Sequence, residues 1–164
     1  MTGIDDSRLR SIRPDRNDGV MGSLTASAAL HLPVRLRGIQ LGRPVDLLLE
    51  TNTWHALGFV VRCRDESHRF LPLAASQTTK DEIRVASALM LLEDIGFYRT
   101  RGTSYRSLLG GDVQRSGRYA GRLRDLVLAN GEVTELELDR GGASGVVRVP
   151  APGFAVVPSR ASAA

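Results

Sequence analysis

Apolar and polar positions alternate most cleanly over residues 121–140, GRLRDLVLANGEVTELELDR. A period of two predicts strands, and here it runs up to Asn130-Gly131 and resumes beyond it. That dipeptide tolerates two consecutive positive φ angles, so it closes a two-residue hairpin loop whose twist suits the flanking strands. The turn implies a register. With Ala129 opposite Glu132, one side pairs Leu128 with Val133, Leu126 with Glu135, Arg124 with Glu137 and Arg122 with Asp139. The other side pairs Leu123 with Leu138, Asp125 with Leu136 and Val127 with Thr134. Opposite charges on one side and apolar pairs on the other hold such a ribbon together, and the charged side must meet water.

A shift of 79 positions brings up a second copy. Gly42, Arg43, Asp46, Leu47, Leu49 and Leu57 fall on Gly121, Arg122, Asp125, Leu126, Leu128 and Leu136, so GRPVDLLLETNTWHAL repeats GRLRDLVLANGEVTEL without a gap. A Gly and an Asp at fixed offsets inside a strand pattern point to a duplicated supersecondary unit. The first copy has no charged side. Arg43, Val45, Leu47, Leu49, Trp54, Ala56, Gly58 and Val60 share one face, and Leu48, Leu57, Phe59 and Val61 the other. A ribbon apolar on both faces is buried on both. Its cover is expected from within the chain, through Leu126, Leu128 and Val133 or the segment 88–92, with an identical chain in a homodimer as the second choice.

Around the two copies the pattern is weaker. Residues 1–27 carry few apolar side chains, too few to offset ordering entropy, and read as a disordered tail within which Met21 rivals Met1 as the start. From Ala28 to Ile39, alternation in LHLPVRLRGI suggests an entering strand confined to an edge or an end by Pro33. After the first copy come the polar loop RCRDESHR and the short strand FLPLAA. Residues 80–92 fit either a strand followed by a short helix or one amphipathic helix. The stretch 95–107 reads as a linker, GGASG at 141–145 as a loop, VVRVP and GFAVV as strands, and residues 159–164 as a tail. The domains so predicted span 28–94 and 108–158.

The pattern Gly-Arg-x-x-Asp-Leu-x-Leu, a turn, then alternating apolar residues resembles the PRC-barrel family. These small β-barrels are named after the photosynthetic reaction centre H subunit and also occur at the end of the ribosome maturation factor. The match is strongest over residues 109–157. It is weaker over 34–92, where the usual dipeptide-and-Gly lead-in is hard to find. The resemblance implies an all-β, mainly β, chain of two small barrels in tandem with minor helix. It also implies an assembly or docking role, since the family has no shared catalytic residues.

Composition narrows the setting. The 164 residues, 42% hydrophobic, suffice for one substantial core or two small ones. No run of about 20 apolar residues occurs, so no membrane span is expected, and the charged N-terminus does not suit a signal peptide. With Cys63 as the single cysteine no internal disulfide can form, which fits a cytoplasmic protein. The net charge is +4 and Lys80 is the only lysine among 22 basic residues. Arginine binds phosphate bidentately, so RNA or an anionic-lipid surface is a candidate partner, although 18 acidic residues are interspersed among the cations.

Candidate chemistry is sparse. His31, His55 and His68 lack paired metal-site spacing, and Cys63, Asp65, Glu66 and His68 are spaced without a recognisable ligand pattern. Ser67-His68 has no nucleophile elbow around it. GGASG and Gly110-Gly111 lack the Lys-Ser/Thr or βαβ frame of a phosphate cradle, so both read as turns. Asp46 and Asp125, repeated among leucines, are expected to accept backbone N–H groups at a barrel corner, since an unpaired buried carboxylate is costly. Gly42, Gly121, Asn130 and Gly131 are assigned to the same structural corners and turns. Leu47, Leu49, Trp54, Leu126, Leu128 and Val133 are assigned to an interdomain or partner contact. The resulting expectation is a noncatalytic protein-binding or scaffold module with no cofactor and no metal. The alternative is a ribosome- or RNA-associated assembly factor.

Overall fold

Tight turns and bulges decide where these strands begin, end and pair. A computed structural model describes residues 22–159. In chain order its strands and helices are β1 (Leu24–Thr25), α1 (Ala26–Leu30), β2 (Val34–Leu36), β3 (Ile39–Glu50), β4 (His55–Cys63), β5 (His68–Pro72), β6 (Ser76–Thr78) and β7 (Ile83–Val85). The second half continues with α2 (Ile95–Arg101), β8 (Thr103–Ser104), α3 (Tyr105–Leu108), β9 (Asp112–Arg115), β10 (Arg118–Ala129), β11 (Glu132–Asp139), β12 (Val146–Pro150) and β13 (Phe154–Val157). The predicted tail over residues 1–21, the choice between Met1 and Met21, and residues 160–164 lie outside the described residues.

The chain is mainly β, as its alternation predicts. The thirteen strands form one sheet in the order β13-β9-β10-β11-β4-β3-β2-β7-β6, with β1 on β10, β12 on β11, β5 on β4 and β8 on β3. This ladder does not return on itself, so an open sheet stands where two closed barrels were expected. The two hairpins join at their tips. Ala56 N–H donates to the Gly131 carbonyl at 2.9 Å, Val133 N–H donates to the Trp54 carbonyl at 2.8 Å, and His55 lies opposite Glu132. Each bond mirrors the other, which places a local pseudo-twofold axis between the tips.

The predicted hairpin forms, but its register shifts in the middle. Asn130 and Gly131 take φ of 52° and 79°. Ala129 faces Glu132, Leu128 faces Val133, Leu123 faces Leu138 and Arg122 faces Asp139. Between these ends Arg124 and Thr134 bulge from opposite strands, so Leu126 faces Leu136, Val127 faces Glu135 and Asp125 faces Glu137. The predicted pairs Arg124–Glu137, Leu126–Glu135, Asp125–Leu136 and Val127–Thr134 are therefore corrected. An extra residue on each strand turns Leu126 and Leu136 onto one buried face together, a gain that strict alternation excludes.

The first hairpin has equivalent bulges at Val45 and Leu57. Its turn, residues 51–54, is two residues longer than Asn130-Gly131. Leu136 is therefore matched in pairing by Phe59, and the identity of Leu57 with Leu136 is not a structural equivalence. The bulges also bring Leu47 and Phe59 opposite one another, which corrects their assignment to different faces.

Upstream of the turns the shift of 79 holds residue by residue. Val34–Gly42, Arg35–Gln40 and Leu36–Ile39 match Val113–Gly121, Gln114–Tyr119 and Arg115–Arg118. Both β-turns use a positive-φ pair, Arg37-Gly38 and Ser116-Gly117. The segments before them exchange places. Leu24 and Thr25 pair with Leu128 and Val127 of the second copy, whereas Thr103 and Ser104 pair with Leu49 and Leu48 of the first. Each half thus receives the lead-in of the other. For this reason residues 24–27 are ordered, with Ala26 and Ala29 fully buried, which corrects the end of the predicted tail. The predicted linker 95–107 is also structured, as α2, β8 and most of α3.

One core runs through both halves. Leu47, Leu49, Trp54, Phe59 and Val61 share it with Leu126, Leu128, Val133, Leu136 and Leu138. A smaller cluster of Leu48, Val60 and Phe70 lies on the other face, capped by Leu92, Ile95 and Tyr98. Tyr98 of α2 stacks on Phe70 with ring centroids 3.8 Å apart. Both apolar faces of the first hairpin are therefore covered from within the chain. Residues 80–92 resolve into β7 followed by a 3-10 turn at Ala88–Met90, the strand-then-helix alternative.

Candidate functional site

The repeated carboxylates are the most organised polar groups in the molecule. Asp125, 7% exposed, accepts its neighbour Leu126 N–H at 2.8 Å, the Tyr105 hydroxyl at 2.8 Å and Ser27 N–H at 3.2 Å, and it also bonds the Ser27 hydroxyl. Asp46, half-buried, accepts Leu47 N–H at 2.9 Å and Arg106 N–H at 3.2 Å, and bonds the Ser104 hydroxyl. Ser27 and Arg106 occupy the same place in the first turns of α1 and α3, where N–H groups lack a partner inside the helix. Asp125 therefore caps the helix that leads into the first copy, and Asp46 the helix that leads into the second. Both carboxylates accept backbone N–H groups, and each serves the opposite half.

This use leaves them little chemistry. Their oxygens are filled by donors, and Tyr105 is held protonated because burial, and then the bond to Asp125, raise its pKa. The corner glycines meet close backbone approaches. A Cβ on Gly42 would press on the Arg62 carbonyl, and one on Gly121, at φ 150°, would lie 3.0 Å from the Asp139 carbonyl oxygen. Leu47, Leu49, Trp54, Leu126, Leu128 and Val133 come together, all in the shared core. They join the two halves and present no surface to a partner.

The other candidates stay apart. Among the described residues no group of three or more His, Cys, Asp or Glu side chains is placed to hold a metal ion. Ser67 is committed to Asp65, donating its N–H at 3.1 Å and its hydroxyl at 2.5 Å, which holds the Asp65 pKa below the ordinary carboxylate value. Burial raises the Cys63 pKa, which disfavours the reactive thiolate.

Two surface features went unnoticed in the sequence. A cavity of about 620 Å³ is lined by Arg115, Arg118, Arg140, Tyr119 and Phe154, with Tyr119 61% exposed and Arg115 over the Phe154 ring at 5.4 Å. The second feature is β12, whose alternate residues Val146, Arg148 and Pro150 are exposed and which pairs with β11 alone among the described residues. An arginine at every third or fourth position near the turn and a short valine-rich strand were the signals available. Neither becomes distinctive until the fold shows what surrounds it.

Neither a protein-family model nor a curated protein is similar to this chain. The outer face of the first hairpin, built on Leu48, Val60 and Phe70, is sealed by α2. Its counterpart in the second hairpin carries Arg124, Glu137 and Arg148.

Proposed function

We propose that this chain is a noncatalytic docking module, two PRC-barrel-like repeats fused through their hairpin tips, which binds a protein partner in the cytoplasm. One observation carries the reading. Equivalent outer faces of the two halves differ, one apolar and packed against the chain's own α2, the other carrying Arg124, Glu137 and Arg148. Duplication supplies two such faces, and using one internally leaves the other for a partner. The capped carboxylates support the noncatalytic part, because both polar clusters repeated between halves are consumed in holding α1 and α3. No helix among the described residues is long and apolar enough to cross a membrane.

The test is reconstitution. A partner recovered with the tagged chain is purified and mixed with it, and sedimentation reads the stoichiometry with and without the charge reversal R124E. A defined complex weakened by that change supports docking through the second half. Turnover of a small substrate by the pure protein would overturn it. A homodimer through the charged face would appear in the same experiment as self-association without a partner.

The arginine cleft favours a second reading, an RNA- or ribosome-associated factor. Arg115, Arg118 and Arg140 around exposed Tyr119 combine phosphate contacts with a stacking surface. Binding of single-stranded RNA that weakens steeply with salt and is lost in R118A with Y119A would favour it.

A further inference from the structure

We infer that the arginine cleft beside the Ser116-Gly117 turn holds single-stranded RNA by one stacked base and the phosphates next to it, without distinguishing which base it stacks. The inference rests on the RNA reading above and deepens it, since it fixes the strandedness and the sequence tolerance of the ligand. Comparison of the two copies shows what is special here. In the first copy Leu36 faces Ile39 across the Arg37-Gly38 turn; in the second, Arg115 faces Arg118 across Ser116-Gly117. Like charges directly opposite one another destabilise a hairpin unless an opposite charge lies between them. The fold does not demand this pair, because the first copy forms an equivalent turn with leucine and isoleucine.

The described residues supply no counter-charge. Arg115, Arg118 and Arg140 line the cleft with Tyr119 and Phe154, and among the described residues no carboxylate does so. None of the three arginines is in an ion pair among those residues. The acids at this corner, Asp112 and Asp139, both serve Arg122. Asp112 lies 3.8 Å from its Nε, and Asp139 stands opposite it in the ladder while accepting Gly141 N–H at 2.8 Å. Over residues 112–122 and 139–145 four arginines stand against two aspartates, and residues 152–157 carry no charge, so a positive surplus remains after every acid is counted. Arg140 Nε is fixed by the Ala120 carbonyl at 3.2 Å, which leaves its two terminal nitrogens for an anion.

The rings select the class of anion. Tyr119 is 61% exposed, and Phe154 is half-buried under the Arg115 guanidinium, so the cleft sets cations beside an uncovered aromatic face. An acidic peptide or a lipid headgroup would use the arginines and leave Tyr119 bare. A base stacked on Tyr119 with phosphates at the arginines uses both. With Tyr119 this exposed the cleft does not enclose a free nucleotide as small-molecule sites do, so affinity comes from successive phosphates of a chain. Adenine and cytosine edges are read by amide and carboxylate side chains, and none lines the cleft among the described residues; the arginines, which could read guanine, are assigned to phosphate. In a duplex each base is already stacked on its neighbours, which denies Tyr119 a partner.

The probe is a fluorescein-labelled oligouridine of about ten nucleotides, titrated with the full chain and read by anisotropy. The logarithm of the affinity is expected to fall against the logarithm of salt with a slope of about −2, from one phosphate contact per arginine at about −0.7 each. R118A reduces that slope by about 0.7. Y119A weakens binding about tenfold at every salt concentration and leaves the slope unchanged, whereas Y119F keeps the native affinity. R64A, which removes a charge from the first half, changes neither value. Arg64, Arg118 and Tyr119 are exposed, so these variants keep the fold. Oligomers of adenosine or cytidine bind within about fivefold of oligouridine, and a duplex of equal length competes at least about tenfold less well. No binding at low salt, a preference for a guanosine-containing oligomer beyond about tenfold, or equal competition by the duplex overturns the inference. So does displacement of the RNA by polyglutamate or by phosphatidylserine vesicles at matched charge. RNA that binds R118A and Y119A as well as the native chain overturns the cleft and leaves the RNA reading standing. A full chain that binds oligouridine at the cleft yet retains neither cellular RNA nor ribosomal subunits removes the RNA reading and keeps the cleft.

Discussion

Replacing Asp125 by alanine tests whether exchange of lead-ins holds the two halves together. The substitution removes the acceptor for Leu126 N–H, the Tyr105 hydroxyl and both Ser27 donors. Leu126 and Tyr105 are buried, 0% and 2% exposed, so their donors cannot turn to water. Each orphaned buried donor costs about 1–3 kcal/mol. Ser27 is half-buried and its donors can be rehydrated, and the mutant no longer desolvates a carboxylate, which offsets part of the loss. The net expectation is a loss of about 3 kcal/mol, or a melting point lower by roughly 6–12 °C for a chain of this size. Asp46→Ala is the control. Its donors lie on a more open surface, so the expected loss is about 1–2 kcal/mol. Urea unfolding followed by far-UV circular dichroism, with an unchanged slope against denaturant, reads both values. A loss below about 1 kcal/mol for Asp125→Ala, or a larger loss for Asp46→Ala, would refute the capping account.

Gly131→Val should cost about 1–2 kcal/mol, read by the same titration, because Gly131 has φ 79° and a Cβ would touch Leu73 Cδ2 at 3.4 Å. Gly58→Ala should be worse, about 3 kcal/mol or more, since its Cβ would press on the Leu71 carbonyl and lie 2.7 Å from Phe70 Cζ; near-native stability would mean the β4–β5 approach is looser than described. Above pH 10, the ordinary tyrosine value, an unfolded chain releases the Tyr105 proton while the folded chain keeps it, so this group's stabilising effect is complete below that pH and declines as pH rises. Tyr105→Phe should flatten the alkaline fall in stability, and an identical slope would show that the phenol is not responsible. Trp54, 4% exposed, should emit at blue-shifted wavelength at every dilution, whereas a red shift on dilution would place its cover in a second chain.

The hairpin tip and the duplicated Gly, Asp and Leu positions were legible because turn chemistry and a period of two act locally. Asn130-Gly131 needs no tertiary partner to favour its turn. The bulges were not legible, since Arg124 and Thr134 leave the ladder for the sake of packing Leu126 against Leu136, a contact that only the folded core rewards. The role of Asp125 was half legible. A carboxylate among leucines signals buried donors, yet the identity of Ser27 as donor depends on a pairing across 98 positions. Residues 24–30 carried a usable signal that composition obscured. Thr25 and Leu30 fall 79 positions before Ser104 and Leu109, so the repeat extends into residues 24–27, which read as tail.

The exchanged lead-ins also explain why two copies yield one open sheet. A copy that kept its own lead-in would have its β1-like strand and helix against its own long hairpin, and could close as a separate unit. Here β1 lies on β10 and β8 on β3, so each hairpin is completed only by the other half, and the tips are drawn close enough for Ala56 and Val133 to exchange bonds with Gly131 and Trp54. Once the halves are tied in this way, the inner faces are spent on a common core. Differences between copies can then accumulate only on the outer faces. There Val45, Val60 and Phe70 of one half stand against Arg124, Glu137 and Arg148 of the other, and the apolar set is the one on which Ile95 and Tyr98 of α2 pack.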